Sequence, residues 1–381
     1  MNPAASNQTS RQRTVGFRLG AVLLGSAVAF VSAELVLRAL DVWPHRMLSK
    51  RVLVRGEPKP VLHYHCYTTN PTGELQPLPD TTVGVWALRS AFKEDRYLSL
   101  RFLPQTPWCV EYDRSSRGMR DREYTPLAPP GTLRIAAVGD SFVFGEGVPL
   151  DRTISRQMES LLGDDFEVLN AGMPGLDTAD EINVVELFAR DLNCTRAIVM
   201  FVPNDVAPSD DLLARQNRIN DLINLRDDKM IEHHAASWYG WSRVLSLLQP
   251  DPDVRRIGRE TVQWYLDLFD PQHNGDNLRA LRRNIRVLSR VPGCRVAIVL
   301  YPLLIDLADY PLAQVHARIA AWARESGIPV LDLTPVLASS RTETLWVHPT
   351  DHHPNGHAHS IAAAEIVRWL REDQPDFLQA D

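Results

Sequence analysis

"LRIAAVGDSF", residues 133–142, decides how the chain is read. From Leu133 to Gly139 it is a compact run broken only by Arg134. Such a short apolar run, closed by turn residues, reads as a strand buried on both faces. It stops at Gly139-Asp140-Ser141, a triplet of residue types that favour turns. The same pattern recurs downstream. "FEVLNAG" (166–172), "RAIVMFV" (196–202), "RVAIVLY" (295–301) and "IPVLDL" (328–333) read as four further strands. Helices are expected at about 150–162, 178–190, 312–326 and 355–371. Strands alternating with helices imply an α/β domain, its mainly parallel five-stranded sheet covered on both faces. Residues 206–292 interrupt the alternation. They are polar, helix-like around 209–226 and 253–290, and read as a helical insertion after the third strand.

Upstream, residues 19–33 are uncharged and mostly apolar, and Arg11, Arg13 and Arg18 precede them. Basic residues there favour an N-terminus kept in the cytoplasm. Fifteen residues fall short of the roughly 20 a span needs. Helix can continue through "ELVLRAL", with Glu34 and Arg38 at i,i+4 spacing. The reading is a cytoplasmic tail at 1–16 and a transmembrane anchor or signal segment at 17–40. A cleavable signal is the alternative, on Val31 and Ala33. Both put the remainder outside the cytoplasm, and the first makes a single-pass inner-membrane protein with a periplasmic catalytic domain. Proline-rich residues 41–130 read as an irregular extracytoplasmic segment. "PLAPPGT" (126–132) marks a boundary, and the main domain is expected at 131–375.

The chain is 44% hydrophobic and 23% charged, with net charge −6. That composition describes a folded protein and offers no basic patch for nucleic acid. Its four cysteines include no CxxC pair, which argues against zinc ribbons and thioredoxin-type redox chemistry. In an oxidising compartment Cys66 and Cys109 could pair; free thiols are the alternative.

In open parallel sheets, ligands bind beyond the carboxyl ends of the strands. Those ends carry "GDSF" (139–142), "NAGMPGLDT" (170–178) and "VPND" (202–205), and the last helix is entered through "DHHPN" (351–355). Together they hold the parts for acyl transfer. Ser141 supplies a hydroxyl that becomes nucleophilic when a base takes its proton. His353 is the base candidate, and an acidic neighbour would orient its ring. The amides of Ser141 and Gly175 and the side chain of Asn204 can serve as oxyanion donors.

"HPTDHHPNGHAH" (348–359) holds His348, His352, His353, His357 and His359. On a helix, the 348/352 and 353/357 pairs could bind zinc. Pro354 keeps His353 out of helical geometry, and there is no HExxH, so neither metal nor cofactor is expected. Arg117, Arg120 and Arg122 suit either an anionic substrate or a solvated surface. Trp238, Tyr239, Trp241, Trp264 and Tyr265 suit a sugar-stacking wall, an acyl pocket, or packing of the inserted helices.

"GDSF", "NAGMPG", "VPND" and "DHHPNGHAH" together resemble the SGNH (GDSL-type) hydrolase superfamily over roughly 132–372. "SSRGMRDREY" (115–124) is similar to the segment preceding this core in membrane-anchored bacterial members. The resemblance implies a flavodoxin-like three-layer sandwich and no metal. It implies Ser141 as nucleophile, Gly175 and Asn204 in the oxyanion hole, and His353 as base. Two blocks depart from the family pattern. Val202 and Pro203 stand where Gly-x usually precedes Asn-Asp. Thr350 stands where the usual Asp-x-x-His has its acid, which makes Asp351 the acid candidate at Asp-x-His spacing. That spacing resembles some bacterial SGNH-like polysaccharide acetyltransferases. The expected function is an envelope acyl-ester hydrolase acting on a small acyl ester or an acylated glycan or lipid, held to the membrane by its N-terminal helix. An O-acyltransferase using the same residues and a non-catalytic envelope-binding protein are the alternatives. Oligomeric state leaves no trace in the sequence.

Overall fold

The computed structural model describes the helix at 3–39, the strands within 51–112, and residues 115, 117–222, 242, 244–245, 252–348 and 351–379. The chain opens with α1 (Pro3–Ala39), whose 24-residue stretch Gly16–Ala39 is long and apolar enough to cross a membrane. An anchor and a signal sequence both fit it. Phe17, Leu23 and Leu24 stand exposed along it, as residues facing lipid would. Glu34 is the exception, being buried. It pairs with Arg38 at 2.8 Å and accepts from Ser242 Oγ at 3.0 Å and Val244 N at 3.1 Å.

Six strands follow where the proline content suggested irregular chain. They are β1 (Arg51–Val54), β2 (Glu57–Pro60), β3 (Cys66–Thr69), β4 (Leu75–Pro77), β5 (Tyr97–Phe102) and β6 (Pro107–Tyr112). They form one sheet in the order β2-β1-β4-β3-β5-β6, antiparallel except between β1 and β4. The prolines are tolerated because of where they fall. Pro58 and Pro60 lie on the edge strand β2, Pro77 ends β4 and Pro107 begins β6. Cys66 pairs with Ser99 and Cys109 with Leu100, on opposite sides of β5, and the side chains of both cysteines lie outside the described residues.

The second sheet carries the site. Its strands are β7 (Leu133–Gly139), β8 (Phe166–Gly172), β9 (Arg196–Phe201), β10 (Arg295–Leu300) and β11 (Val330–Asp332). All are parallel, in the order β11-β10-β9-β7-β8. Counted from β7 this is the flavodoxin-like order 2-1-3-4-5, whose topological switch point lies between its first and third strands. Here those strands are β7 and β9. Both are buried almost throughout, which is why they read as continuous apolar runs.

The helices are α2 (Ser141–Phe144), α3 (Ile154–Leu162), α4 (Thr178–Leu192), α5 at 210–222, α6 (Pro252–Leu268), α7 (Pro271–Leu288), α8 (Ala313–Glu325), α9 (Thr334–Leu337) and α10 (Gly356–Glu372). α3 packs on α10, while α7 packs on α4 and α8, so helices cover the sheet as outer layers. α7 buries Leu278, Leu281, Ile285 and Leu288 and bridges β9 to β10. It is thus the crossover helix of the sandwich, and the additional material lies before Pro271. Upstream of β7, Met119, Arg120, Asp121 and Tyr124 are buried with the core. Asp121 accepts the Asn170 amide of β8 at 2.8 Å, so this segment is packed into the same unit.

Candidate active site

The site is assembled at the switch point. Asp140 caps α2 by accepting the Phe142 amide at 2.8 Å, which fixes the sharp exit from β7. The turn needs room that only glycine leaves. A Cβ on Gly172 would lie 2.1 Å from the Phe144 nitrogen, so β8 can approach α2 only without a side chain there. α2 ends at Gly145 in the left-handed region (φ 76°), whose amide returns to the Ser141 carbonyl at 3.1 Å. Ser141 is thereby held at the strand end, nearly buried.

His353 arrives from the opposite end of the domain. β12 (Trp346–His348) and β13 (Asp351–Pro354) form a small antiparallel hairpin. Successive side chains of a strand point to opposite faces. His352 stacks on Trp346 with ring centroids 4.0 Å apart, and His353 turns the other way. Its Nε2 lies 2.8 Å from Ser141 Oγ, across 212 residues of sequence. Its ring lies beside Phe142, 5.5 Å between centroids. Asn355 then caps α10, accepting the amides of His357 and Ala358 at 3.0 Å each, while its Nδ2 donates to the Thr344 and Trp346 carbonyls. Since helix begins only at Gly356, neither i,i+4 histidine pair shares a helical face. His357 is exposed and His359 buried in α10. The side chains of His348 and Asp351 lie outside the described residues.

Gly175 takes φ 83°, and a Cβ placed on it would meet nothing within 4 Å, so the backbone there borders open space. Its loop is tied to both neighbours. Met173 donates to the Gly139 carbonyl at 3.0 Å, and Thr178 donates to the Asp205 carbonyl through its amide at 3.1 Å and its hydroxyl at 2.9 Å. Asn204 Nδ2 donates to Asp140 Oδ2 at 2.7 Å. An amide nitrogen carries two hydrogens, so that bond orients the group and leaves its second hydrogen for a ligand. "GDSF", "VPND" and "DHHPN" are thus joined by side-chain bonds, and the glycine loop joins them through the backbone.

Burial governs the carboxyls beneath. Asp140 is fully buried, and desolvation raises its pKa against the opposing bonds from Asn204 and Phe142 and the charge of His353. Desolvation also raises Glu181 and Asp205 well above the usual carboxylate range, and each repels the other and Asp140. Tyr265 is raised by burial and by Asp140 and Asp205, which places it under the same floor. Tyr265 meets Trp264 edge to face at 4.9 Å, and Trp264 is buried with its Nε1 on the Leu212 carbonyl at 2.8 Å. Both aromatics pack the insertion. Trp238, Tyr239 and Trp241 lie outside the described residues.

Arg120 is neither a surface residue nor a substrate contact. It is buried, and its guanidinium donates to the carbonyls of Phe144, Gly145 and Val148, pinning the loop after α2. Arg122 pairs with Glu159 at 2.6 Å and Glu167 at 3.6 Å. One group escaped the sequence reading altogether. Glu146, inside that pinned loop, brings Oε2 to 3.4 Å from His353 Nε2. Its only signal was a carboxylate five residues after the serine, in the tight "GEG" turn.

The flavodoxin-ordered sheet, with Ser141 and His353 bonded at its switch point, defines a three-layer α/β protein. Within that class the chain belongs to the GDSL-like lipase/acylhydrolase family, whose model matches residues 137–361. Family membership makes esterase its activity class. Among solved structures it is similar to a member of the lipolytic protein G-D-S-L family from Veillonella parvula DSM 2008, at 15% identity and TM-score 0.35, over 63% of this chain and 100% of that one. It is similar to a carbohydrate acetylesterase family member from Sinorhizobium meliloti, at 13% and 0.36, over 64% and 100%. It is also similar to a two-domain esterase active on acetylated mannans, at 16% and 0.33, over 66% and 51%. No curated protein matches the chain.

Proposed function

We propose that the protein is a serine-dependent acyl-ester hydrolase of the cell envelope, held at the inner membrane by α1 and removing an acyl group from a carbohydrate or lipid ester. The observation that carries this reading is the 2.8 Å contact between Ser141 Oγ and His353 Nε2. That is the distance at which a base takes a hydroxyl proton. In the first half-reaction the Ser141 oxygen attacks the ester carbon while its proton passes to His353 Nε2. The oxyanion is held by the Ser141 and Gly175 amides and the remaining Asn204 hydrogen. The C–O bond to the alcohol then breaks, and the departing oxygen takes the proton from Nε2. Water repeats the sequence on the acyl-serine and releases the carboxylic acid and Ser141. Asp351 orients the ring from its other nitrogen.

The test uses the full chain in detergent, with 4-nitrophenyl acetate turnover and fluorophosphonate labelling of Ser141 as readouts. Wild type should show both. Ser141→Ala should abolish labelling, and Ser141→Ala and His353→Ala should each lower turnover by about 10⁴-fold or more. Supplying a glycan acceptor should still yield free acid. A folded wild-type protein that neither labels nor turns over would remove the reading.

A further inference from the structure

Glu146 approaches the nitrogen of His353 that faces the nucleophile. In a serine–histidine–acid triad the acid bonds Nδ1 and the serine bonds Nε2, so the two never compete. Here Ser141 Oγ at 2.8 Å and Glu146 Oε2 at 3.4 Å address the same Nε2. The carboxylate therefore stands on the working edge of the base, where protons arrive from Ser141 and depart to the leaving alcohol.

The surroundings argue against a chance surface contact. Glu146 is 13% exposed and His353 26%. The Glu146 amide donates to the Ser141 carbonyl at 3.1 Å, so the residue is tethered to the nucleophile's own backbone. Arg120 fixes carbonyls on both sides of it, at Gly145 and Val148. Ser141 Oγ has a second acceptor in Asp140 Oδ2 at 3.4 Å. When Nε2 carries a proton, it can donate to Glu146 while the Ser141 hydroxyl turns to Asp140. When Nε2 is deprotonated, it accepts from Ser141 and the reaction can start. Charged groups facing His353 include Glu146, from the loop after α2, and Asp140, from the turn before it. Asp351 precedes it on its own strand.

We propose that Glu146 is a positioning and specificity-determining residue, acting through His353 Nε2 to favour uncharged leaving alcohols that bear a neighbouring hydroxyl, which is the chemistry of an O-acylated carbohydrate. This rests on the ester-hydrolase reading above. Three consequences of a carboxylate at that place lead to it. It stabilises the imidazolium formed when Ser141 attacks. It repels an anionic leaving group, such as a phosphate-bearing glyceride. And it is an acceptor beside the point where the leaving oxygen takes its proton, within reach of a hydroxyl on the adjacent carbon. No proton is consumed by Glu146 itself: the Ser141 proton still travels through Nε2 to the departing oxygen.

The test compares wild type with Glu146→Gln, which keeps the shape and removes the charge, and with Glu146→Asp, which keeps the charge and shortens the reach. The substrates are a 3-O-acetyl methyl mannoside with its vicinal hydroxyls free, the same glycoside with those hydroxyls methylated, and 4-nitrophenyl acetate, whose leaving group needs neither proton nor hydroxyl contact. Fluorophosphonate labelling checks that each variant keeps a folded site. Glu146→Gln should lower kcat/KM on the free glycoside by at least tenfold more than on the nitrophenyl ester. Methylation should hurt wild type and spare the Gln variant. The acidic limb of kcat/KM against pH should move down by about one unit, since an opposite charge at this distance favours the imidazolium by that much or more. Glu146→Asp should keep the limb and lose part of the glycoside preference. Equal losses on the two esters overturn the leaving-group role, and an unmoved limb overturns action through His353. Wild type inactive on all three substrates and unlabelled would instead overturn the hydrolase reading beneath it.

Discussion

Glu181→Gln probes the floor of the site. Glu181 lies on α4, fully buried, and neither carboxyl oxygen has a hydrogen-bond partner among the described residues; Asp205 Oδ1 is in the same position. Burial raises both pKa values; Asp140 raises Glu181 further, and Glu181 raises Asp205 further. The folded state therefore holds protons that the unfolded chain sheds above its ordinary carboxylate pKa, near 4.5 for Glu181. A folded pKa above the unfolded one contributes stability that is complete below the unfolded value and is lost as pH rises toward the folded one. Within that window the slope is about 1.4 kcal/mol per pH unit for each retained proton. Glutamine has the same shape and no proton to lose. Urea unfolding of the full chain, repeated at half-unit steps of pH, should show wild type losing stability more steeply than Glu181→Gln as pH rises above 4.5, by up to about 1.4 kcal/mol per pH unit. Taking the difference cancels a raised carboxyl that Glu181 does not touch, such as Asp121. Curves that run parallel within about 0.5 kcal/mol would show that Glu181 is ionised in the fold, and the reasoning would fail.

Gly172→Ala should destabilise by at least about 2 kcal/mol, because the added carbon meets the Phe144 nitrogen and Val143 carbonyl carbon, backbone atoms that cannot rotate away; thermal unfolding would read it, and an unchanged melt would contradict the close approach of β8 and α2. Arg120→Met strips donors from three carbonyls and should cost about 3 kcal/mol or more, measured the same way. Asn204→Ala removes both the proposed oxyanion donor and the Asp140 partner, and should lower kcat about 10²–10³-fold with little change in KM; a change confined to KM would place Asn204 in ground-state binding instead.

The sheet was legible because β7 to β11 are short buried runs, and a strand buried on both faces leaves an unbroken apolar signature. The serine and histidine were legible because a parallel sheet sends successive strand ends to one edge. That argument needs only strand order and residue type. It could not separate His352 from His353 except through Pro354; the strand alternation of β13 decides it, setting one ring on Trp346 and the other on Ser141. The strands of β1 to β6 were hidden because their prolines sit at edges and ends, which composition does not distinguish from loop. Arg120 looked like surface because its partners are backbone carbonyls more than twenty residues away, and carbonyls have no sequence signature. α7 was read as insertion because its polar face dominates the local composition, although Leu278, Leu281, Ile285 and Leu288 seat it in the sandwich.

The buried acids bear on the proposed oxyanion hole, because such a site is a poor place for negative charge. Asn204 is held by Asp140, and Asp205 follows it, with its Oδ2 accepting the Val202 amide at 2.6 Å. Glu181 repels both Asp140 and Asp205. Were all three carboxyls ionised, their field would oppose the negative charge that develops on the substrate oxygen, and the three donors there would have to overcome it. Burial resolves the conflict by making ionisation costly. The raised values favour the protonated forms of Glu181 and Asp205 over the charged ones. Neutral, they can brace the "VPND" loop without repelling the oxyanion. The feature that makes stability fall with rising pH is then the same one that leaves the hole electrostatically open. It follows that Glu181→Gln, neutral at every pH, should lose the Glu181 share of the pH dependence of stability while still labelling at Ser141.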